Sequence, residues 1–418
     1  MHHETLDQAA RGILRDNDRG RYTVPTAMLY PFQWNWDSAF AAWGFSRFDV
    51  ERAWTELETL MAAQWPNGMV PHMIFHEPAP GYFPGPEVWG VGNQPPTSGI
   101  TQPPVVATMA RAVLMADPDR GRPRIAGLFD GLLRWHRWFM DARVERGMVA
   151  VTHPWETGRD NAPDWDLAMQ AVDTSGVGSY QRRDLQQVDA GQRPKKAEYD
   201  RYLAMVGFGR DCGWDEATIR DRGPFRVADV GMSFILLRAC RDLAVLAQEV
   251  GKPTREIEDW IRALTEGAEG HWNPDGGYYD SVDLRSGAFT GSLSNASFLN
   301  WYAGIENPGM LAHLHRIADE VRFMLPSLDP AHPEFDPLRY WRGPVWAILN
   351  ALAGLGLAEM GHGAEAARLR RDAQALIAAS GFAEYFSPRD GTPAGGGHFT
   401  WTAAVWLAWA SPQAEGRF

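Results

Sequence analysis

His271-Trp272-Asn273-Pro274-Asp275-Gly276-Gly277-Tyr278-Tyr279 is a glycine-bearing turn with aromatic flanks, set between helical patterns over 252–267 and 290–303. Asn-Pro and Gly-Gly pairs stop a helix and reverse the chain. The same punctuation recurs at Gln64-Trp65-Pro66-Asn67-Gly68-Met69-Val70, at Glu145-Arg146-Gly147-Met148-Val149, and from Gly381-Phe382-Ala383-Glu384-Tyr385-Phe386 to Gly391. Helical patterns lie on either side of each. Residues 51–63 place Trp54, Leu57, Leu60 and Met61 on one face; 122–143 carries Ile125, Leu128, Leu132, Trp135 and Phe139; 226–250 is apolar on most faces, as a helix covered from two sides must be. Patterns over 309–323, 342–359, 363–380 and 398–410 continue the series, and no run of alternating strands competes with it. A unit of helix, glycine turn and helix, repeated about six times, predicts stacked helical hairpins.

Aromatic-rich, variable connections favour closure of those hairpins over an open solenoid. The expected fold is all-α, an (α/α)6 barrel. Its inner helices should start near 35, 97, 226, 290, 342 and 398, its outer helices near 4, 51, 122, 252, 309 and 363. Residues 152–214 are left over. They hold a long loop and a helix over 197–208, and read as a lid inserted over the mouth of the barrel. The expectation is therefore one domain spanning 1–418.

Composition narrows the function. The chain has 418 residues, 45% hydrophobic and 22% charged, within the range of folded soluble proteins. Its 40 basic and 52 acidic residues give a net charge of −12, which disfavours a phosphate backbone as partner and excludes nucleic acid from the expected ligands. No apolar run approaches a membrane span, and no signal-like leader precedes the first helix, so a cytoplasmic protein without membrane contact is expected. Two cysteines support neither a disulfide framework nor a cysteine-rich zinc site, and no spacing calls for a metal or cofactor. The 19 tryptophans suit either a core or a sugar-binding surface.

Four clusters could carry chemistry. Tyr30-Pro31-Phe32-Gln33-Trp34-Asn35-Trp36-Asp37-Ser38 opens an inner helix with aromatic faces and a carboxylate. His153-Pro154-Trp155-Glu156-Thr157-Gly158-Arg159-Asp160-Asn161 packs ionisable groups beside an indole. Tyr340-Trp341-Arg342-Gly343-Pro344-Val345-Trp346 offers a wall of aromatics, with Arg342 expected as a structural ion pair. Glu384-Tyr385-Phe386 is followed by Gly395-Gly396-Gly397-His398-Phe399-Thr400-Trp401. Glycoside hydrolysis needs two carboxyl groups flanking the sugar, one to protonate the leaving oxygen and one to activate water. Asp160 and Glu384 lie on loops that face one another only if the barrel closes.

Taken in order, these motifs resemble glycoside hydrolase family 63, and within it the bacterial hydrolases of mannosylglycerate and glucosylglycerate. The resemblance covers most of the chain, from Tyr22-Thr23-Val24-Pro25 to Trp401. It implies an (α/α)6 barrel that cleaves a small α-glycoside with inversion, Asp160 as general acid and Glu384 as general base. Around the hexose it implies Tyr30, Trp34, Trp36, Asp37 and Gln102; toward the glycerate it implies Tyr82, Arg193, Tyr199, Tyr340 and Trp341. Trp155 and Trp346 are expected to wall the site. His398 stands where glycerate-specific members carry glutamine, and is expected to touch the substrate. The alternatives are a hydrolase of a neutral α-glucoside, a sugar epimerase using His153, His271 and His398, and a non-catalytic carbohydrate-binding protein.

Overall fold

The computed structural model describes residues 3–27, 29–78, 80–182 and 184–414. Helix Asn35–Phe45 is buried along its whole length, as are Ala347–Leu357 of helix Ala347–Glu359. Both lack a polar face, so each needs neighbours all round. They obtain them in a ring. Asn35–Phe45 packs on Val106–Ala116, which packs on Val230–Glu249; the turn Ser297–Asn300 follows, then Ala347–Glu359, then Thr400–Val405, which returns to Asn35–Phe45. The barrel is closed.

The outer helices are His3–Asp16, Val50–Ala62, Pro118–Ala142, Arg255–Gly267, Pro308–Glu320 and Gly363–Ser380. Arg255–Gly267 buries Ile257, Leu264 and Gly267 and turns its acidic residues to solvent. Asp49, Asp117 and Asn307 cap three of these helices by accepting backbone N–H bonds, which satisfies donors the helix cannot use itself.

Two expectations need correction. The inner helix predicted from about 290 is only the short 3₁₀ turn Ser297–Asn300. Gly291, Ser292, Ser294 and Asn295 precede it, and serine and asparagine side chains compete for backbone hydrogen bonds; the Ser297 hydroxyl accepts from the Ser294 N–H. The helix predicted from about 97 starts at Val106. Pro103 and Pro104 lack N–H groups and hold that stretch extended.

Short strands tie down the loops at one end of the ring. Gln33–Trp34 pairs antiparallel with Met73–Ile74, and Tyr385–Phe386 with Pro393–Ala394. Val144–Glu145, Met148–Val151, Val227–Ala228 and Val282–Asp283 form a four-stranded antiparallel sheet, with Ala150 opposite Ala228 and Val227 opposite Asp283. That sheet delivers the chain to the 152–160 loop. The 152–214 segment holds 3₁₀ turns and the helices Asp166–Met169 and Lys196–Asp211. None of the described helices is long and apolar enough to cross a membrane.

Candidate active site

A cavity of about 950 Å³, its mouth included, opens at the end of the barrel where those loops gather. Tyr30, Trp34, Trp36, Asp37, Tyr82, Gln102, Trp155, Asp160, Arg193, Tyr199, Tyr340 and Glu384 line it. Residues expected from widely separated stretches of the chain thus meet in one place. Five tryptophans line the cavity, Trp34, Trp36, Trp89, Trp155 and Trp401, and all five are also buried against the core.

Asp160 is held by its neighbours. Buried Arg159 reaches Asp229 at 2.6 Å and Asp164 at 3.2 Å, fixing the loop to the start of helix Val230–Glu249. The Asn161 side chain accepts from the Trp341 N–H (2.9 Å), and its carbonyl accepts from Arg342 Nε (2.9 Å). Gly158 has φ +67°, and a Cβ there would stand 2.3 Å from the Trp36 ring, so only glycine lets the loop press against that indole. Burial pushes the Asp160 carboxyl up to about 7; the Glu384 charge adds to this, and Arg193 opposes it. A carboxyl at that value is about half protonated at neutrality and can still give its proton away.

Glu384 is fully buried. Its Oε2 accepts from the Gly396 N–H at 2.8 Å, and its Oε1 accepts from the Tyr30 hydroxyl at 3.1 Å, with Arg193 Nη1 at 3.5 Å. Gly395 has φ +71°, and a Cβ there would meet Glu384 Oε2 at 2.3 Å. Burial raises the Glu384 carboxyl above its usual range, and the Arg193 charge is the strongest force against that rise. Asp37 is raised well above the ordinary value by burial, reinforced by the charges of Glu384 and Asp160.

Arg193 is a buried cation, not a solvated one, with 5% exposure. It donates to the Tyr30 hydroxyl (2.6 Å) and to Asp184 (3.2 Å), and its guanidinium lies 4.2 Å from the centre of the Tyr340 ring. Tyr199 packs edge-on against Trp155, with the Arg182 guanidinium 4.3 Å above its ring. Gln102 accepts from the Trp36 N–H at 3.3 Å, and Tyr82 packs on Phe32 and Trp34.

Three expected residues stand elsewhere. Trp341 and Trp346 stack at 3.8 Å behind the wall, and Trp346 is fully buried with its indole N–H on the Tyr340 carbonyl. Their role in the wall is indirect: Trp341 backs Trp36 at 6.4 Å. His398 lies outside the cavity and is exposed, in a left-handed conformation with φ +51°. The glycine run ahead of it turns the chain outward, away from the substrate position the sequence suggested. Arg342 has the structural role expected of it, pairing with Asp166 at 2.6 Å. The histidines of an epimerase do not assemble: His153 bonds the Tyr202 carbonyl, His271 bonds Ser233, and neither lines the cavity.

Sequence reasoning passed over His72, Phe83, Trp89, Arg182 and Asp184, all of which line the cavity. Arg182 and Asp184 sit in a charge run that reads as solvated; the signal available was that the run lies eleven residues or fewer before Arg193. Among the described residues no group of three or more His, Cys, Asp or Glu side chains is placed to hold a metal ion.

Residues 30–402 match the family model of the mannosylglycerate hydrolase MGH1-like glycoside hydrolase domain. Mannosylglycerate hydrolase MGH1 of Selaginella moellendorffii is 45% identical over 413 residues, covering 96% of this chain and 85% of that one. Glucosylglycerate hydrolase of Mycolicibacterium hassiacum is 35% identical over 437 residues, covering 97% of each. The crystal structure of a family 63 mannosylglycerate hydrolase from Thermus thermophilus, in complex with Tris and D-glycerate, matches with a TM-score of 0.93 at 44% identity, over 96% of this chain and 99% of that one. The paired carboxyl groups at the mouth of a closed helical barrel, and likeness along almost the whole length, make this chain a glycoside hydrolase that belongs to the MGH1-like glycoside hydrolases of family 63.

Proposed function

We propose that the chain hydrolyses a 2-O-α-mannosyl- or α-glucosyl-D-glycerate with inversion at the anomeric carbon. The observation that carries this reading is the pairing, in one cavity, of a carboxyl near 7 with a carboxylate held beside a buried guanidinium. Asp160 is the general acid. Kept protonated by burial, it delivers its proton to the glycosidic oxygen as that bond breaks. Glu384 is the general base. It takes a proton from the water that attacks the anomeric carbon from the opposite face, and the Arg193 charge favours its ionised form against the effect of burial. The hexose sits against Trp34, Trp36, Asp37 and Gln102. The aglycone carboxylate lies toward Arg193, Tyr199 and Tyr82, where a fixed guanidinium offsets the loss of water from an anion. The 152–214 segment acts as the lid over that end. Relatives named for both mannosyl- and glucosyl-glycerate support the substrate class.

The test is hexose release from α-mannosylglycerate, α-glucosylglycerate, trehalose and kojibiose, with NMR of the first-formed sugar. Release from a glycerate glycoside with β-hexose appearing first is expected. Turnover confined to the neutral disaccharides, or α-hexose appearing first, would overturn the reading.

A further inference from the structure

Tyr202 is fully buried on helix Lys196–Asp211, one turn after Tyr199, and it does not line the cavity. Its hydroxyl donates to the backbone carbonyl of Asp160 at 2.7 Å. Its own carbonyl accepts from His153 Nε2 at 3.1 Å. The tautomer follows from the other ring nitrogen: His153 Nδ1 accepts from the Trp155 N–H at 3.0 Å, so the proton is on Nε2. Burial holds this imidazole neutral, its pKa pushed down to about 3, so the donor and acceptor do not exchange. Helix and loop are therefore joined at both ends of the 153–160 stretch. The Trp155 ring fills the space between, packed on Tyr202 and Tyr199. A second brace runs through Glu198 on the same helix: it pairs with Arg342, whose Nε binds the Asn161 carbonyl. The carbonyls of Asp160 and Asn161 are thus both tied to helix Lys196–Asp211, the first directly and the second through Arg342.

We propose that Tyr202 is a positioning residue that couples aglycone recognition to acid catalysis: its hydroxyl, seated when helix Lys196–Asp211 is seated, sets the direction in which Asp160 presents its carboxyl. The proposal rests on Asp160 being the general acid. The helix carries Tyr199 and follows Arg193, so a ligand that engages those side chains also stabilises the helix that orients Asp160. Binding energy from the aglycone is then expressed in kcat as well as in KM. An error of about 1 Å in the placement of a reacting group costs about a hundredfold in rate, so one backbone hydrogen bond at this point has leverage that its strength alone would not give it.

The experiment compares two leaving groups on the full-length protein. Fluoride departs from an α-hexosyl fluoride with little need of a proton, whereas a glycerate alcohol needs one. Tyr202→Phe is expected to lower kcat for α-mannosyl- and α-glucosylglycerate by about 10- to 100-fold, with KM within about twofold, while α-hexosyl fluoride turnover stays within about twofold of wild type. Asp160→Asn is expected to show the same selectivity with a larger loss. Equal losses of Tyr202→Phe on both leaving groups would make Tyr202 merely structural and overturn the proposal, as would no loss on either. If Asp160→Asn fails to discriminate between the leaving groups, the acid assignment falls and takes the proposal with it. If only Tyr202→Phe fails to discriminate, the acid stands and the coupling falls. Should Tyr202→Phe not fold, His153→Asn keeps an acceptor for the Trp155 N–H and removes the donor to the Tyr202 carbonyl. It is read by the same two leaving groups, with the same outcomes.

Discussion

At the barrel end of the cavity Trp34, Trp36, Asp37, Gln102 and Trp401 come from the starts of inner helices and the segments leading into them, and no cation is among them. At the other end Arg182, Asp184, Arg193 and Tyr199 come from the inserted 152–214 segment, and two of the four are buried guanidinium groups. The barrel end suits neutral hydroxyls, with π-faces for the sugar ring and an amide and a carboxyl for its rim. The inserted end is made for charge. Burying two arginines is costly unless their partners are arranged beforehand, and here Asp184, Glu384, the Tyr30 hydroxyl, the Pro194 carbonyl and the rings of Tyr199 and Tyr340 serve. On the proposed reading the barrel serves the sugar, and the inserted segment, joined by Tyr82 from the barrel, serves the aglycone; the two meet at Asp160 and Glu384.

The largest effects should come from that meeting point. Asp160→Asn and Glu384→Gln are each expected to lower kcat by about 10²–10⁴-fold on glycosides whose leaving group is an alcohol, with the folded state retained by circular dichroism. Near-normal turnover in either would remove that carboxyl from its role and leave the two ends without a shared centre. The next effect should separate them. Arg193→Ala is expected to raise KM for a glycerate glycoside by about 10- to 100-fold and to leave KM for trehalose or kojibiose within about twofold, since a charged hydrogen bond is worth about 1.5–3 kcal/mol. The same variant should move the acid limb of the pH profile upward on both substrates, because Glu384 loses the cation that opposes its burial. Equal KM losses on both substrates would break the division between the ends.

The third effect is on pH. As the proposed general acid Asp160 works protonated, so activity should fall as pH rises through about 7. The same shift is a stability statement. The folded pKa of Asp160 lies above the value of about 3.9 for an unfolded carboxyl, so the stability it contributes is fully present below about pH 4 and is lost as pH rises through about 7. Asp160→Asn, which cannot ionise, is expected to be more stable than wild type at pH 8, by about 1–3 kcal/mol in urea unfolding, with the difference shrinking toward pH 4. An advantage independent of pH would mean that Asp160 is not held against ionisation.

The two ends were also unequally legible. The barrel could be read because its inner helices have no polar face, as at Ala347–Leu357, and because glycine turns recur between them. It failed where serine and asparagine replaced that pattern, at the turn Ser297–Asn300. At the barrel end of the site, aromatics beside Asp37 announce themselves in the linear order. At the inserted end, Gln181-Arg182-Arg183-Asp184 looks like any solvated charge run, and only the fold brings Arg182 against Tyr199. Tyr202 carried no signal at all, since its partner is a backbone carbonyl 42 residues away, which no side-chain pattern encodes.

The smallest effect concerns His398, the residue the sequence suggested would touch the substrate. Gly395 turns the chain with φ +71°, Gly396 spends its N–H on Glu384, and His398 then points outward, its carbonyl held by the Asn17 side chain at 3.0 Å. The backbone of this wall serves Glu384; the imidazole serves nothing in the cavity. His398→Gln is therefore expected to change KM and kcat for α-mannosyl- and α-glucosylglycerate by less than about twofold, the range of an ordinary surface substitution. The left-handed backbone there is tolerable to glutamine at small cost, so stability should change equally little. A tenfold change in KM confined to glycerate glycosides would mean that the Gly395–Gly397 segment swings inward when an anion binds and carries residue 398 with it. In that case a barrel loop that moves would join Tyr82 and the inserted segment around the proposed aglycone position, and the division between the two ends would have to be redrawn.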